Sequence, residues 1–216
     1  MAKANAEYWE DATGSETAPG HWNRIAEEIS ARDLHTIDQD IQMLFALNVA
    51  MLDTSIAVWD AKLAYDSIRP VSAIRYFYNG EMLQSYISGS QPGASSVMGA
   101  NWSPWLSTPS YPEFPSDNAA FANAAAEILS RFSGSDVYVK QVQVAAGSST
   151  YAPYTTPASG LTLGWFTFSQ IADGAQSGSQ AGGTQFDDAA LQGALMGRLV
   201  GGLVWARYNQ LLNGVQ

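Results

Sequence analysis

Three short stretches carry the side chains most able to do chemistry. Lys62 is followed, after six residues, by Arg69-Pro70. Glu113-Phe114-Pro115-Ser116-Asp117-Asn118 stands directly before an alanine-rich run, and Ser179 is followed after five residues by Gln185. A helix start favours a nearby anion, because free N–H groups and the helix dipole place partial positive charge there, and Lys62 and Arg69 are two cations. Asp117 works against that use: a carboxylate in the first turn bonds the same N–H groups and offsets the dipole. It reduces the +2 of Lys62 and Arg69 to +1. Unit charges about 4 Å apart interact by a few kcal/mol at a surface-like dielectric, so the carboxylate penalises a highly charged oxyanion. Asn118 is a poor nucleophile and Gln185 does not titrate near neutral pH, so neither attacks nor relays a proton.

Plainer readings of the same residues stand beside this one. Lys62 and Arg69 can serve as ion-pair partners of Asp117, Asp66 or Asp187, and Asp117-Asn118 as a helix cap. Asp187-Asp188 with Gln185 and Asp117 offers oxygen ligands, but at a spacing that matches no calcium loop. His21, in Pro-Gly-His-Trp, reads as a packing residue in a loop, and neither it nor His35 is near these stretches in sequence. Trp102 and Trp105 read as covers for the core.

Helices must position these groups. From Asp38 to Tyr65, Ile41, Leu44, Phe45, Val49, Leu52, Ile56, Trp59 and Leu63 recur at helical spacing, with Leu47 and Val58 off that stripe, which predicts a helix buried on more than one side. Thr36 or Asp38 caps its start, and Pro70 lies just past its end. Residues 79–115 hold five of the nine prolines and predict a long site-shaping loop. Asn118–Phe132 predicts a helix stopped by Gly134, and 137–144 a short strand or hairpin. Leu161–Ala175 predicts another helix, and a last one starts at Asp187 or Asp188 and runs to about Leu212. In it, Gly193, Gly197, Gly201 and Gly202 permit close packing of a neighbour. The architecture is mainly α, a helical bundle with long ordered loops: one domain over 1–216, with 1–35 an arm carrying short helices and 36–216 the core.

Composition narrows the function. A chain of 216 residues with 46% hydrophobic content folds around a real core. Its net charge of −10 disfavours nucleic acid and anionic lipid. The absence of cysteine excludes disulfides and thiol chemistry, and two histidines leave little for a His-rich metal site. No uninterrupted apolar run reaches the roughly 18–20 residues of a bilayer span, so no transmembrane segment is expected. The first residues lack the apolar centre of a signal peptide. Few Lys and Arg with abundant Ser, Thr, Gly and Asn point to a life outside the cytoplasm.

The three stretches resemble the motifs of the vanadium-dependent haloperoxidases and the acid phosphatases related to them. Lys62 to Arg69-Pro70 matches Lys, six residues, Arg-Pro. Pro115-Ser116-Asp117-Asn118 aligns on Pro-Ser-Gly-His, and Gly178-Ser179 to Gln185 on Ser-Arg, five residues, His. Asn5-Ala-Glu-Tyr-Trp9, Pro19-Gly-His-Trp-Asn23, Trp59-Asp-Ala-Lys62, Ala119 to Glu127 and Gly197-Arg-Leu-Val-Gly201 extend the likeness in the same order. It covers roughly the carboxy-terminal half of such proteins, the half with the anion site. In active relatives a Lys, two Arg, a Ser and a backbone amide hold vanadate or a phosphoryl group, while one His bonds or attacks it and another acts as acid or base. On that pattern Lys62, Arg69 and Ser116 are kept, and the Gly is Asp117. The two His are Asn118 and Gln185, and the second Arg is Ser179. The resemblance implies a degenerate anion pocket with vanadate binding lost, no catalytic residues and no cofactor. It also implies apolar surface where the family's other half would pack, which self-association or another protein subunit would cover. A changed phosphoric-ester hydrolase or haloperoxidase, or a small-ligand binder in the vacated pocket, are the alternatives.

Overall fold

Thr36 starts the longest helix as the sequence predicts. Its hydroxyl accepts from the Gln39 amide while the Gln39 side chain accepts from the Thr36 N–H, a reciprocal cap for α3 (Ile37–Tyr65). Thr36→Ala is expected to lower stability by about 1 kcal/mol in denaturant titration. This is seen in a computed structural model that describes residues 1–11, 14–85 and 95–214. The remaining elements are α1 (Ala2–Tyr8), α2 (Thr17–Asp33), α4 (Pro70–Phe77), β1 (Met82–Ser85), β2 (Ser95–Met98), a 3-10 turn Gly99–Asn101, α5 (Asp117–Ser133), β3 (Val137–Val144), β4 (Leu161–Thr167), α6 (Phe168–Ala181) and α7 (Asp187–Leu212).

α5 is the axis of the bundle. Its alanines 119, 120, 122, 124, 125 and 126 are buried, and their short side chains let α3, α6 and α7 approach from three sides. Gly134 ends it in the left-handed conformation (φ 70°). α7 lies on α5 through its glycines. A Cβ on Gly193 would stand 2.2 Å from the Ser116 carbonyl oxygen, and one on Gly197 2.1 Å from that of Ala120.

Four expectations are corrected. Residues 161–167 are a strand, not the start of a helix. Leu163 and Trp165 point inward while Thr162, Gly164 and Phe166 point out, a period of two, and β3 supplies the antiparallel partner (Val144 opposite Leu161). The helix begins only at Phe168. Residues 79–115 are not all loop: β1 and β2 form an antiparallel pair there. Residues 1–35 are more than an arm, since the 17-residue α2 buries Trp22, Ile25, Ala26 and Ile29 in the core. His21 sits on that helix rather than in a loop.

The apolar stripe of α3 is the largest surprise. Its off-stripe residues Leu47 and Val58 are buried with Ala46, Ala50 and Met51. Along the stripe itself Leu44 and Val49 are half-buried, whereas Ile41, Phe45, Leu52, Ile56 and Leu63 face outward, Ile56 at 62% exposure. Small Ala46, Ala50 and Thr54 share the inner side with bulky Met43, Leu47, Met51 and Val58, and the stripe of further bulky residues is left outside. By length and mean hydropathy, the stretch Ile37–Phe77 and α7 also reach the range of membrane-crossing helices, which scattered charges hid in the search for unbroken runs. Both windows are 39% buried in the bundle. Trp105 is buried as expected and Trp102 half-buried.

Candidate functional site

Asp66 takes the left-handed conformation (φ 41°) and ends α3, and Pro70 opens α4 at its first turn. The turn between brings Lys62 and Arg69 against one irregular segment, residues 111–116. Ser67 fixes that segment: its carbonyl accepts from Glu113 N–H (3.1 Å) and its hydroxyl from Phe114 N–H (2.8 Å).

Lys62 is fully buried, and its ammonium donates to the carbonyls of Pro112 (2.9 Å), Glu113 (3.2 Å) and Pro115 (2.7 Å). An ammonium has three protons, and three carbonyls take them. Arg69 donates from Nε to Tyr111 O (3.0 Å), from Nη1 to Thr184 O (3.0 Å) and from Nη2 to Pro112 O (3.2 Å). The Tyr111 ring lies beside both cations, 5.1 Å from the Lys62 nitrogen and 4.9 Å from the Arg69 guanidinium carbon.

Two carboxylates face these cations. Asp117 Oδ1 is 3.8 Å from Lys62 Nζ, and its Oδ2 accepts from the Tyr111 hydroxyl at 2.7 Å. Glu113 is buried. It accepts from the Phe186 N–H (2.8 Å), and the Gln185 amide, oriented to suit its neighbours, donates to it at 2.9 Å while accepting from Arg69 Nη1 at 2.9 Å. Burial pushes the Glu113 carboxyl above its usual range, with the Phe186 N–H, Arg69 and Lys62 pulling it back. Burial pushes Lys62 down to about 8, against the pull of Asp117, and pushes the Tyr111 phenol up, with Asp117 adding to the rise. With both carboxylates ionised, two cations meet two anions and the cluster is neutral.

Ser116 caps α5 with its buried hydroxyl, accepting from Ala119 N–H at 3.3 Å. Asn118 donates to the Trp9 carbonyl (3.3 Å) and to Ser179 Oγ (3.2 Å). The structure thus gathers all seven residues singled out from sequence, in two layers. Asp117, Asn118, Ser179 and Gln185 line a cavity of about 260 Å³, together with Glu10 and Asp11 at its α1–α2 side. Lys62, Arg69 and Ser116 lie behind that wall and are not among its lining residues. Lys62 is paired with Asp117, as the plainer reading held, but Arg69 bonds carbonyl oxygens and no carboxylate. Among the described residues no three His, Cys, Asp or Glu side chains cluster to hold a metal ion, and Asp187 instead accepts from Gln180 at 2.9 Å.

Sequence reasoning missed three participants. Glu113 and Tyr111 are charge and ring partners of the cations; the only hint was a lone acid inside a Pro-rich stretch. His21, distant in sequence, comes to the rim: it bonds Asp11 (3.0 Å) and the Tyr8 hydroxyl (3.2 Å) and stacks on Trp9 at 4.6 Å. Neither ring nitrogen is left for the cavity.

The family model described as the VCPO second helical-bundle domain matches residues 42–214. The chain belongs to that family. Among solved structures, a holo-type bacterial vanadium-dependent chloroperoxidase aligns with a TM-score of 0.86 at 22% identity, over 97% of this chain and 44% of the other. An apo-type bacterial vanadium-dependent chloroperoxidase gives 0.87 at 23%, over 97% and 45%. A bacterial vanadium-dependent iodoperoxidase gives 0.73 at 23%, over 95% and 43%. The fold of this haloperoxidase-like bundle is therefore theirs, and the chain spans less than half their length. A search of curated proteins finds no match.

Proposed function

We propose that this haloperoxidase-like bundle holds no vanadate, turns over no substrate, and serves as a structural or interaction subunit of a larger assembly. One observation carries the reading: the two cations that would bind an oxyanion are spent on five backbone carbonyls and balanced by Glu113 and Asp117. The residues present do not fit vanadate. The cavity side offers the carboxylates of Glu10, Asp11 and Asp117 and no imidazole. Each carboxylate about 4 Å from an oxyanion opposes it by roughly 4 kcal/mol per unit of anion charge at an effective dielectric of about 20. With amides at Asn118 and Gln185, attack or proton transfer by an imidazole has no group to perform it at those positions.

Calorimetric titration with vanadate and with phosphate is expected to give no saturable binding below millimolar concentration. Peroxide–halide and phosphate-ester assays are expected to stay at background. Asp117→Ala should tighten phosphate binding at least about tenfold, which corresponds to ~1.4 kcal/mol. Micromolar vanadate binding by the unaltered chain, or turnover that Asp117→Ala abolishes, would sink the reading.

The acid-lined cavity supports a second reading, a binder of a small neutral or cationic polar ligand. A thermal-shift series of amines and polyols tests it; a stabilisation that Asp117→Asn removes supports the idea, and a flat series ends it.

A further inference from the structure

α7 carries two rows of residues at four-residue spacing. Gly193, Gly197 and Gly201 turn toward α5, while Leu191, Leu195, Leu199 and Leu203 lie on the opposite side, Leu203 at 71% exposure. The outward stripe of α3 runs beside it, and between them lies an apolar groove of about 360 Å³ bounded by Phe45, Val49, Val200 and Leu203, with Asp53 and Arg207 also in its lining. Asp53 and Arg207 form no ion pair with each other among the described residues.

Bulky side chains set at helical spacing on two adjoining helices, Phe45, Leu52 and Ile56 on α3 and Leu195, Leu199 and Leu203 on α7, give this face an exposed apolar character.

We propose that the counterpart of this face is a second copy of this chain, docked about a two-fold axis with the α3–α7 face of one copy on that of the other. The inference rests on the interaction-subunit reading above and names its partner. Two observations favour a copy. A two-fold contact must be self-complementary, and the groove lining carries one acid and one base, so Asp53 of each copy can meet Arg207 of the other. The face is also poor in charge, so the −10 of each copy acts mainly from elsewhere on the surface and is screened beyond about 8 Å at physiological salt. Lipid is disfavoured because the groove would bury Asp53 and Arg207 in hydrocarbon.

Light scattering coupled to size-exclusion chromatography, with sedimentation velocity across concentration, tests this on the intact chain. The expected mass is twice 23.2 kDa, and added salt should strengthen the dimer. The double variant Leu199→Glu/Leu203→Glu should raise the dimer dissociation constant by about 100-fold or more while circular dichroism still shows a folded helical protein. Val139→Glu, on exposed β3, should leave it unchanged. Because the chain has no cysteine, mixing the single variants Asp53→Cys and Arg207→Cys gives a clean probe: oxidation should cross-link one copy of each. A monomer at high micromolar concentration, or an oligomer indifferent to the glutamate pair, overturns the proposal. So does a monomer that binds zwitterionic vesicles, or only a different helical protein, through Leu199 and Leu203. A monomer still lacking anion binding would leave the functional reading intact, whereas a dimer that binds vanadate would overturn that reading alone.

Discussion

Replacing Lys62 with methionine is expected to cost about 3–5 kcal/mol, read as a shift of the denaturant midpoint at unchanged slope. Methionine fills a similar volume, so the loss is electrostatic rather than a cavity. The carbonyls of Pro112, Glu113 and Pro115 lose their charge-assisted partner inside the protein, and each unpaired buried acceptor costs about 1–3 kcal/mol. Asp117 and Glu113 also lose half of their balancing charge. Desolvation of the ammonium offsets part of this, since burial holds Lys62 down at about 8 against its ordinary 10.5. The offset has its own signature. Between pH 8 and 10 the unfolded chain binds more protons at this site than the folded one, so the native protein should gain stability as pH rises, relative to Lys62→Met. Below about pH 8 both states keep the proton and the difference should be flat. Above pH 10 the buried tyrosines lower the stability of both proteins alike, as with Tyr8, whose phenol burial pushes up to about 12. A pH-independent difference from 7 to 10 would show that Lys62 is not the buried ammonium described.

Gly197→Ala should destabilise by about 2–4 kcal/mol despite placing a better helix former in mid-helix. The propensity gain is about 1 kcal/mol. Against it, the new methyl would stand 2.1 Å from the Ala120 carbonyl oxygen, well inside contact distance, and α7 cannot retreat without separating its whole glycine row from α5. Gly202→Ala is the internal control. Its nearest neighbour is Glu127 Oε1 at 3.9 Å, so the propensity term acts alone and about 0.5–1 kcal/mol of stabilisation is expected. Equal effects at the two positions would contradict the helix contact described here.

Local chemistry explains which parts of the fold could be read beforehand. Thr36, Gly134 and the run from Asp187 to Leu212 announce helix ends through capping and backbone conformation, which neighbouring residues decide. Leu161–Thr167 misled because a short apolar run satisfies both periods until its strand partner, sixteen or more residues earlier, is known. The α3 stripe misled for a related reason. Periodicity finds a face, but which side of the helix turns inward depends on the helices that pack against it.

The sequence by itself determined the family, the helical bundle and seven motif positions that come together near the start of α5, because motif order and residue type need no neighbours to be recognised. Only the tertiary structure decided what those positions do. Glu113, 51 residues beyond Lys62 and 72 before Gln185, completes a neutral cluster with Lys62, Arg69 and Asp117. His21 is drawn to the rim and held there by Asp11 and Tyr8. Hydrogen bonds and charge balance act through space at about 3–4 Å, and which residues come that close is set by packing rather than by order along the chain.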